Sequence, residues 1–283
     1  MLLERTGLFL ELSRYDEAGA SIQSAVSILN ARRAGGPVAR LRHQVFVQAG
    51  HVHILRADYP RARRSFSRAQ RIAEGHGLGP VARARALNGL GLAARYTGRF
   101  DLAARLYSRA LRALGRAGAK TGTLVATLFH NLGGLEHARS RFARAERWSR
   151  RGLRLRERAC GPAAAETAID VAALAAIVHA RGRHEEAARL YRGSLAILRR
   201  RLGPHHFEVV FNLSQLAALE QTRGRVAASR RLYGQALPAL ERILGRDHPV
   251  VAQVAANCRT LVAAVSPAAA SRARRPPRPR RAA

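Results

Sequence analysis

Apolar side chains recur along this chain at three- and four-residue spacing, and short polar turns break the pattern at nearly regular intervals. One stretch shows it plainly. Leu87, Leu90 and Ala94 share a stripe, which predicts a helix from about Arg83 to Tyr96. Thr97-Gly98-Arg99 interrupts it, and Gly98 is free to take the left-handed backbone that closes a helix. Phe100-Asp101 then opens a second helix, with Ala103, Leu106, Tyr107, Ala110, Leu111 and Leu114 on one stripe.

The same unit recurs along the chain. A bulky marker after the turn falls at Tyr15, Tyr59, Phe100, Phe142, His184 and Val226, with gaps of 44, 41, 42, 42 and 42 residues. Three residues after each marker stands Ala18, Ala62, Ala103, Ala145, Ala187 or Ser229. Ten residues after it stands Ala25, Ala69, Ala110, Gly152, Ser194 or Ala236. A fixed period near forty with small residues in constant phase predicts stacked helix pairs, A then B.

Packing explains the small residues. Where helix B crosses its neighbours, a side chain larger than alanine holds the backbones apart. Ala103 and Ala110 lie two turns apart and face one crossing. Tyr107 fills the wedge between them, and Ile22, Phe66, Tyr191 and Tyr233 take the same slot elsewhere. In the fourth unit Trp148 sits one residue early and Ser149 takes the slot, which predicts a local repacking.

Loops rich in Gly and Pro separate the units, among them residues 75–80, Cys160-Gly161-Pro162, residues 202–206 and residues 244–249. Gly182 and Gly224 repeat the role of Gly98. A last helix, about Val250 to Val265, has no B helix after it and is expected to cap the final apolar edge. From residue 266 to 283 the chain turns Arg- and Pro-rich, the composition of a disordered basic tail. The repeat domain is thus expected over residues 1–265, with a short first helix.

These residues resemble the tetratricopeptide repeat, and more closely its 42-residue kinesin light chain type. Residues 183–191 with Ser194-Leu195-Ala196-Ile197 are similar to that family's turn and helix B. Residues 244–249 are similar to its inter-repeat loop, and Asn131-Leu132 to the Asn-Leu pair of its helix A. The family's Leu-Gly pair appears as Leu90-Gly91 and Leu132-Gly133, and as Leu174-Ala175 and Leu216-Ala217. The resemblance implies an all-α, right-handed α-solenoid of about six helix-turn-helix repeats with a C-terminal capping helix. Two features depart from the pattern. His206-Phe207 stands where the family favours His-Pro, and the slot of Asn131 holds Gln48, Gly89, Ala173 and Gln215 in other units. The Lys, Arg and Asn set with which some members clamp a carboxylate terminus has no match here, which disfavours chaperone tails as partners.

By the family's phase, helix A lines the concave groove. The resemblance therefore places His51, Ile54, Leu55, Asn88, Leu92, Arg95, Tyr96, His130, His137, His179, Phe211 and Gln221 toward a bound peptide or helix. A non-catalytic protein-interaction scaffold is the expected function.

Composition adds a rival. Lys and Arg number 50 against 18 Asp and Glu, a formal charge of +32, and Lys120 is the only lysine. Coding bias explains Arg over Lys but not the shortage of acids. Arg147, Arg150, Arg151, Arg154 and Arg158 form a stripe on one helix B, with Arg156 beside them; Arg274, Arg275, Arg280 and Arg281 belong to the tail. They fit nucleic acid or another polyanion, although aromatic residues for base stacking are only 5% of the chain. No catalytic, metal or cofactor site is expected: His130 and His137 share a face seven residues apart, with no third ligand. Two cysteines without a partner at ligand spacing point to a reduced, cytoplasmic setting. No secretory leader, membrane span or small-molecule substrate is expected.

Overall fold

The computed structural model describes residues 14–30, 36–115 and 122–265. Those residues form α1 (Tyr15–Asn30), α2 (Gly36–Leu55), α3 (Tyr59–Gly75), α4 (Gly79–Tyr96), α5 (Phe100–Leu114) and α6 (Gly122–Ala138). They continue as α7 (Phe142–Cys160), α8 (Ala165–Ala180), α9 (His184–Leu202), α10 (Phe207–Thr222), α11 (Val226–Leu244) and α12 (Pro249–Val265). Every odd-numbered helix opens on the residue that marks the repeat. The expected first helix and the tail, with Arg274, Arg275, Arg280 and Arg281, lie outside the described residues.

The even-numbered A helices and odd-numbered B helices stack in chain order as a right-handed α-solenoid. Successive A helices also touch one another, α2 on α4, α4 on α6 and onward to α12. B helices make their main contacts with A helices. A ribbon curved this way has its A helices on the inner, shorter radius.

The small residues sit where their phase demands. Ala103 and Ala110 are 0% exposed, and Ala62, Ala145, Ala187 and Ser229 are buried in the equivalent place. Where serine replaces alanine its hydroxyl finds a carbonyl: Ser194 Oγ donates to Ala168 at 2.7 Å and Ser229 Oγ to Ala217 at 2.8 Å. The wedge residues Phe66, Tyr107, Tyr191 and Tyr233 are buried, and the A helix yields to them. A Cβ on Gly89 would come within 2.2 Å of the Phe66 ring, and one on Gly91 within 2.5 Å of Tyr107. In the fourth unit Ser149 takes the slot against Gly133, and Trp148 swings out to stack on Phe129 at 5.3 Å.

The turns close as the glycines suggest. At α4, Gly98 has φ of 72°, and the Arg99 N–H donates to Ala94 O at 2.9 Å. Ala57 and Ser140 occupy the same phase with φ of 56° and 57°, a conformation costly for a residue with a Cβ. Helix α4 begins at Gly79, earlier than the periodicity suggests, because Pro80 stands in the first turn, where its missing N–H costs nothing.

Ion pairs brace unit to unit. The acid just after the marker, Asp16, Asp101 or Glu185, pairs with Arg56, Arg139 or Arg223 at the end of the next A helix. Glu146, buried within α7, takes Arg150, Arg181 and Arg183 together. Burial pushes its carboxyl up, and the guanidiniums of Arg181, Arg183 and Arg150 outweigh that and hold it below the usual range.

The coil returns on itself. His248 Nε2–H donates to the Leu55 carbonyl at 3.1 Å across 193 residues, while the Val250 N–H donates to its Nδ1 at 3.2 Å. One neutral tautomer serves both bonds. Beside it the Tyr15 ring meets Phe207 edge-on, with centroids 6.4 Å apart.

Gly89→Ala is expected to cost about 1–3 kcal/mol by overpacking against Phe66. Ser140→Gly is expected to gain about 1 kcal/mol by relieving a left-handed residue. Urea unfolding of the two variants beside the parent chain measures both, and equal midpoints for all three would contradict the packing and the turn together.

Candidate functional site

The inner face is built from the A helices, and the side chains expected there have distinct fates. Tyr96 is the most open, 48% exposed at the end of α4, and its ring lies flat on Tyr59 at 5.4 Å. Arg95 lies beside it with the guanidinium 4.6 Å from the Tyr96 ring centroid. His137 leans on Phe142 at 5.4 Å, and His179 on His184 at 5.4 Å. His179 Nε2 also stands 3.3 Å from Thr222 Oγ1. Gln221 accepts from the Tyr233 hydroxyl at 3.5 Å. Phe211 stacks on Phe207 at 5.5 Å. His51 packs edge-on to Phe66 at 5.3 Å.

Four of these residues are partly or wholly engaged within the fold. Ile54, 9% exposed, packs with Phe66 and Ala93 in the core between units, so it is not free to meet a partner. Asn88 is buried and accepts from Asn131 Nδ2 at 2.8 Å, a rung between neighbouring A helices. The asparagine ladder thus survives as one rung, shifted by one position. Leu92 is half-buried against the same core as Ile54, and the Leu55 carbonyl is spent on His248.

His130 is held firmly. Its Nδ1 stands 2.7 Å from Asp170 Oδ1, and Arg156 Nε donates to the other carboxylate oxygen at 3.2 Å. Arg156 also reaches Thr127 Oγ1 at 2.9 Å and the Thr123 carbonyl at 3.3 Å. Asp170 and Arg156 were not among the expected groove residues, yet both stand out on alignment. Asp170 occupies the slot that holds Leu128 one unit earlier, and Arg156 the slot that holds Leu198 one unit later. Two charges of opposite sign in apolar slots of adjoining helices signal a buried pair.

The outer stripe of α7 also divides. Arg147, Arg151, Arg154 and Arg158 are exposed and have no ion-pair partner among the described residues. Arg151 lies 4.5 Å above the Phe129 ring. Arg150 is tied to Glu146 and Glu186, and Arg156 is buried, so neither belongs to a free basic face.

Among the described residues no His, Cys, Asp or Glu side chains converge as a metal site, and no helix is long and apolar enough to cross a membrane. Cys160 and Cys258 are both free thiols.

A tetratricopeptide repeat family model matches residues 82–158, 124–200 and 164–237, together more than half of the chain. The chain belongs to the tetratricopeptide repeat family. No curated protein sequence matches it. Among solved structures, NprR in complex with its cognate peptide NprX superposes with a TM-score of 0.71 at 11% identity, over 95% of this chain and 74% of that one. A Rap protein complexed with competence and sporulation factor gives 0.63 at 12% identity, over 93% and 74%. A kinesin light chain-like repeat protein from Podosopora anserina gives 0.53 at 15% identity, over 75% and 98%.

His51, His137 and His179 share an electrostatic direction. Burial pushes His51 down to about 4, helped by the Arg85 charge. Burial also lowers His137, with Arg95 adding to it, and His179, with His184 and His137 adding to it. A histidine whose pKa is lower in the folded chain stabilises fully above the unfolded value near 6.5 and loses that stability as pH falls. Stability is therefore expected to drop between pH 6.5 and about 4, by up to about 1.4 kcal/mol per pH unit for His51. Thermal melts across that window check it, and His51→Gln should melt with a shallower dependence on pH than the parent chain.

Proposed function

We propose that this chain is a non-catalytic scaffold that binds a peptide or helix of another protein in the concave groove. The observation that carries this is the inner face itself. Ala176 and Ala218 recur at the phase of Gly134, on which Arg95 lies, and keep bulky side chains off that line of the A helices, while Tyr96 stays open. An apolar floor with a few fixed polar groups suits a segment that brings its own hydrogen bonds. Two similarly coiled structures, NprR and the Rap protein, are complexes with NprX and with competence and sporulation factor.

A photo-crosslinking amino acid at Tyr96 tests the groove directly, because that side chain supports little of the core. It should form a discrete protein adduct in cells, and Ala176→Trp, which fills the floor, should reduce the adduct about tenfold or more. Adducts that arise only from a probe placed at Arg147 on the outer face would refute the groove.

The exposed, unpaired stripe Arg147, Arg151, Arg154 and Arg158 favours a second reading, contact with nucleic acid or another polyanion. Retention on duplex DNA should then fall with log salt at a slope of about −0.9 per phosphate contacted. Changing all four arginines to glutamine should remove about four such contacts from the slope. An unchanged slope removes this stripe from consideration.

A further inference from the structure

Two openings run together beside α2, one between it and α3, the other reaching across to α1. Phe46, His53, Ser65 and Arg68 border both. The first, of about 660 Å³, is basic: Arg61, Arg64, Arg68 and Arg71 follow one another along α3, with Arg63 beside them. The second, of about 420 Å³, is an apolar arm against Ile22 and Val26 of α1 and Ala49 and Val52 of α2.

The basic part is short of partners. Arg61 pairs with Asp58. Arg63, Arg64, Arg68 and Arg71 have no ion pair or hydrogen bond among the described residues, and no carboxylate borders the opening. Ser24, Ser194, Ser214 and Ser229 each donate to a carbonyl, whereas the half-buried Ser65 and Ser67 make no hydrogen bond among the described residues. Arg68 lies over the Phe46 ring, 5.3 Å from its centroid, and a guanidinium seated so offers its other face to a second flat group. Burial lowers the pKa of His53; Asp58 opposes this, and the charges of Arg61, Arg56 and Arg64 add to it. Those charges therefore converge where the two openings meet.

The stripe from Arg61 to Arg71 covers about 15 Å of helix axis, with close to one guanidinium per turn. A row of cations with hydroxyl donors suits repeated anionic oxygens better than one isolated phosphate. The apolar arm suits a flat group carried by the same ligand. An acidic peptide or an anionic membrane brings the charge without a flat group beside each anion. Duplex nucleic acid keeps its bases in the stack, and a single strand leaves them free. We propose that this cleft binds single-stranded nucleic acid, with phosphates on Arg64, Arg68 and Arg71 and a base on Arg68 at the mouth of the apolar arm. The site shares its chemistry with the polyanion reading of α7 but none of its residues.

The test uses the full chain with two fluorescein-labelled strands of about 12 residues, oligothymidylate and its abasic counterpart. Polarisation is read from about 0.05 to 0.3 M salt. At the higher salt, where exposed charges are largely screened, the thymidylate should bind about fivefold tighter or more. Changing Arg64, Arg68 and Arg71 together to glutamine should make the slope of log affinity on log salt shallower by about 2, at about 0.7 per phosphate. These side chains are exposed, so the fold does not depend on them. Phe46→Leu keeps the arm apolar but removes the ring under Arg68, and should shrink the thymidylate preference. Changing Arg147, Arg151, Arg154 and Arg158 to glutamine should leave that preference intact. A slope unchanged by the triple replacement, or a preference unchanged by both cleft variants, overturns the cleft. If only the α7 variant flattens the slope, the polyanion reading stands and the cleft falls; if neither set does, both fall. A phosphoserine peptide or phosphatidylserine vesicles that displace the probe better than unlabelled oligothymidylate overturn the assignment to nucleic acid.

Discussion

One distance governs this molecule: the approach of helix B to the A helices on either side of it. Alanine, serine or glycine sets that distance at two positions two turns apart, and all six B helices obey it. Close approach then leaves a wedge that one large ring fills, and the facing A helix must give way. Glycine at 89 and 91 is that concession, since a single methyl group at either would collide with Phe66 or Tyr107. No unit hides its apolar face alone; each depends on the pair before and after it. Because the contact is the same each time, so is the rotation from one unit to the next. A regular coil follows from a local rule.

That rule is why the fold was legible in the residues. Period, marker and small slots are all one-dimensional signals, and every B helix begins at its marker. The displaced Trp148 was legible too, because a side chain one position out of phase must leave the wedge. The groove was less so. Phase says which face a residue occupies but not how deep it sits, and neighbouring A helices close over part of that face. Ile54 and Asn88 have groove phase and are nevertheless buried between units. The pair Asp170 and Arg156 shows only when each is compared with the leucine in its slot elsewhere, Leu128 and Leu198.

The charge imbalance reads differently once the acids are placed. The few carboxylates are concentrated at the joints, where Asp16, Asp101, Glu146, Glu185 and Glu220 each bridge to arginines of a neighbouring helix. An acid at the start of a B helix also suits the partial positive charge of that helix end. The acids Asp16, Asp101 and Glu185 are exposed, so each of their pairs stabilises by about 0–1 kcal/mol, whereas Glu146 and Glu220 are buried against their arginines. With those acids committed there, Arg147, Arg151, Arg154 and Arg158 are exposed on α7, and neither they nor Arg95 have an ion-pair partner among the described residues.

Curvature carried far enough brings the ends together. Helix pairs that rotate by a constant step meet after most of a turn, and here His248 reaches Leu55 while Phe207 reaches Tyr15. Among the described residues that contact includes one hydrogen bond and one edge-on ring pair, beside the extensive packing between successive units. It cannot be what bends the solenoid; the bend is inherited from the alanine crossings, and the contact records where the bend leads. On the inner face the burial is local: Phe66, Phe142 and His184 pack on His51, His137 and His179, whose pKa values burial lowers, and Arg95 Nε is shut from solvent beside Gly134 and Tyr96. The electrostatics of the inner face and the size of the side chain at Ala103 are therefore linked, through the crossing distance that sets how closely successive helices pack.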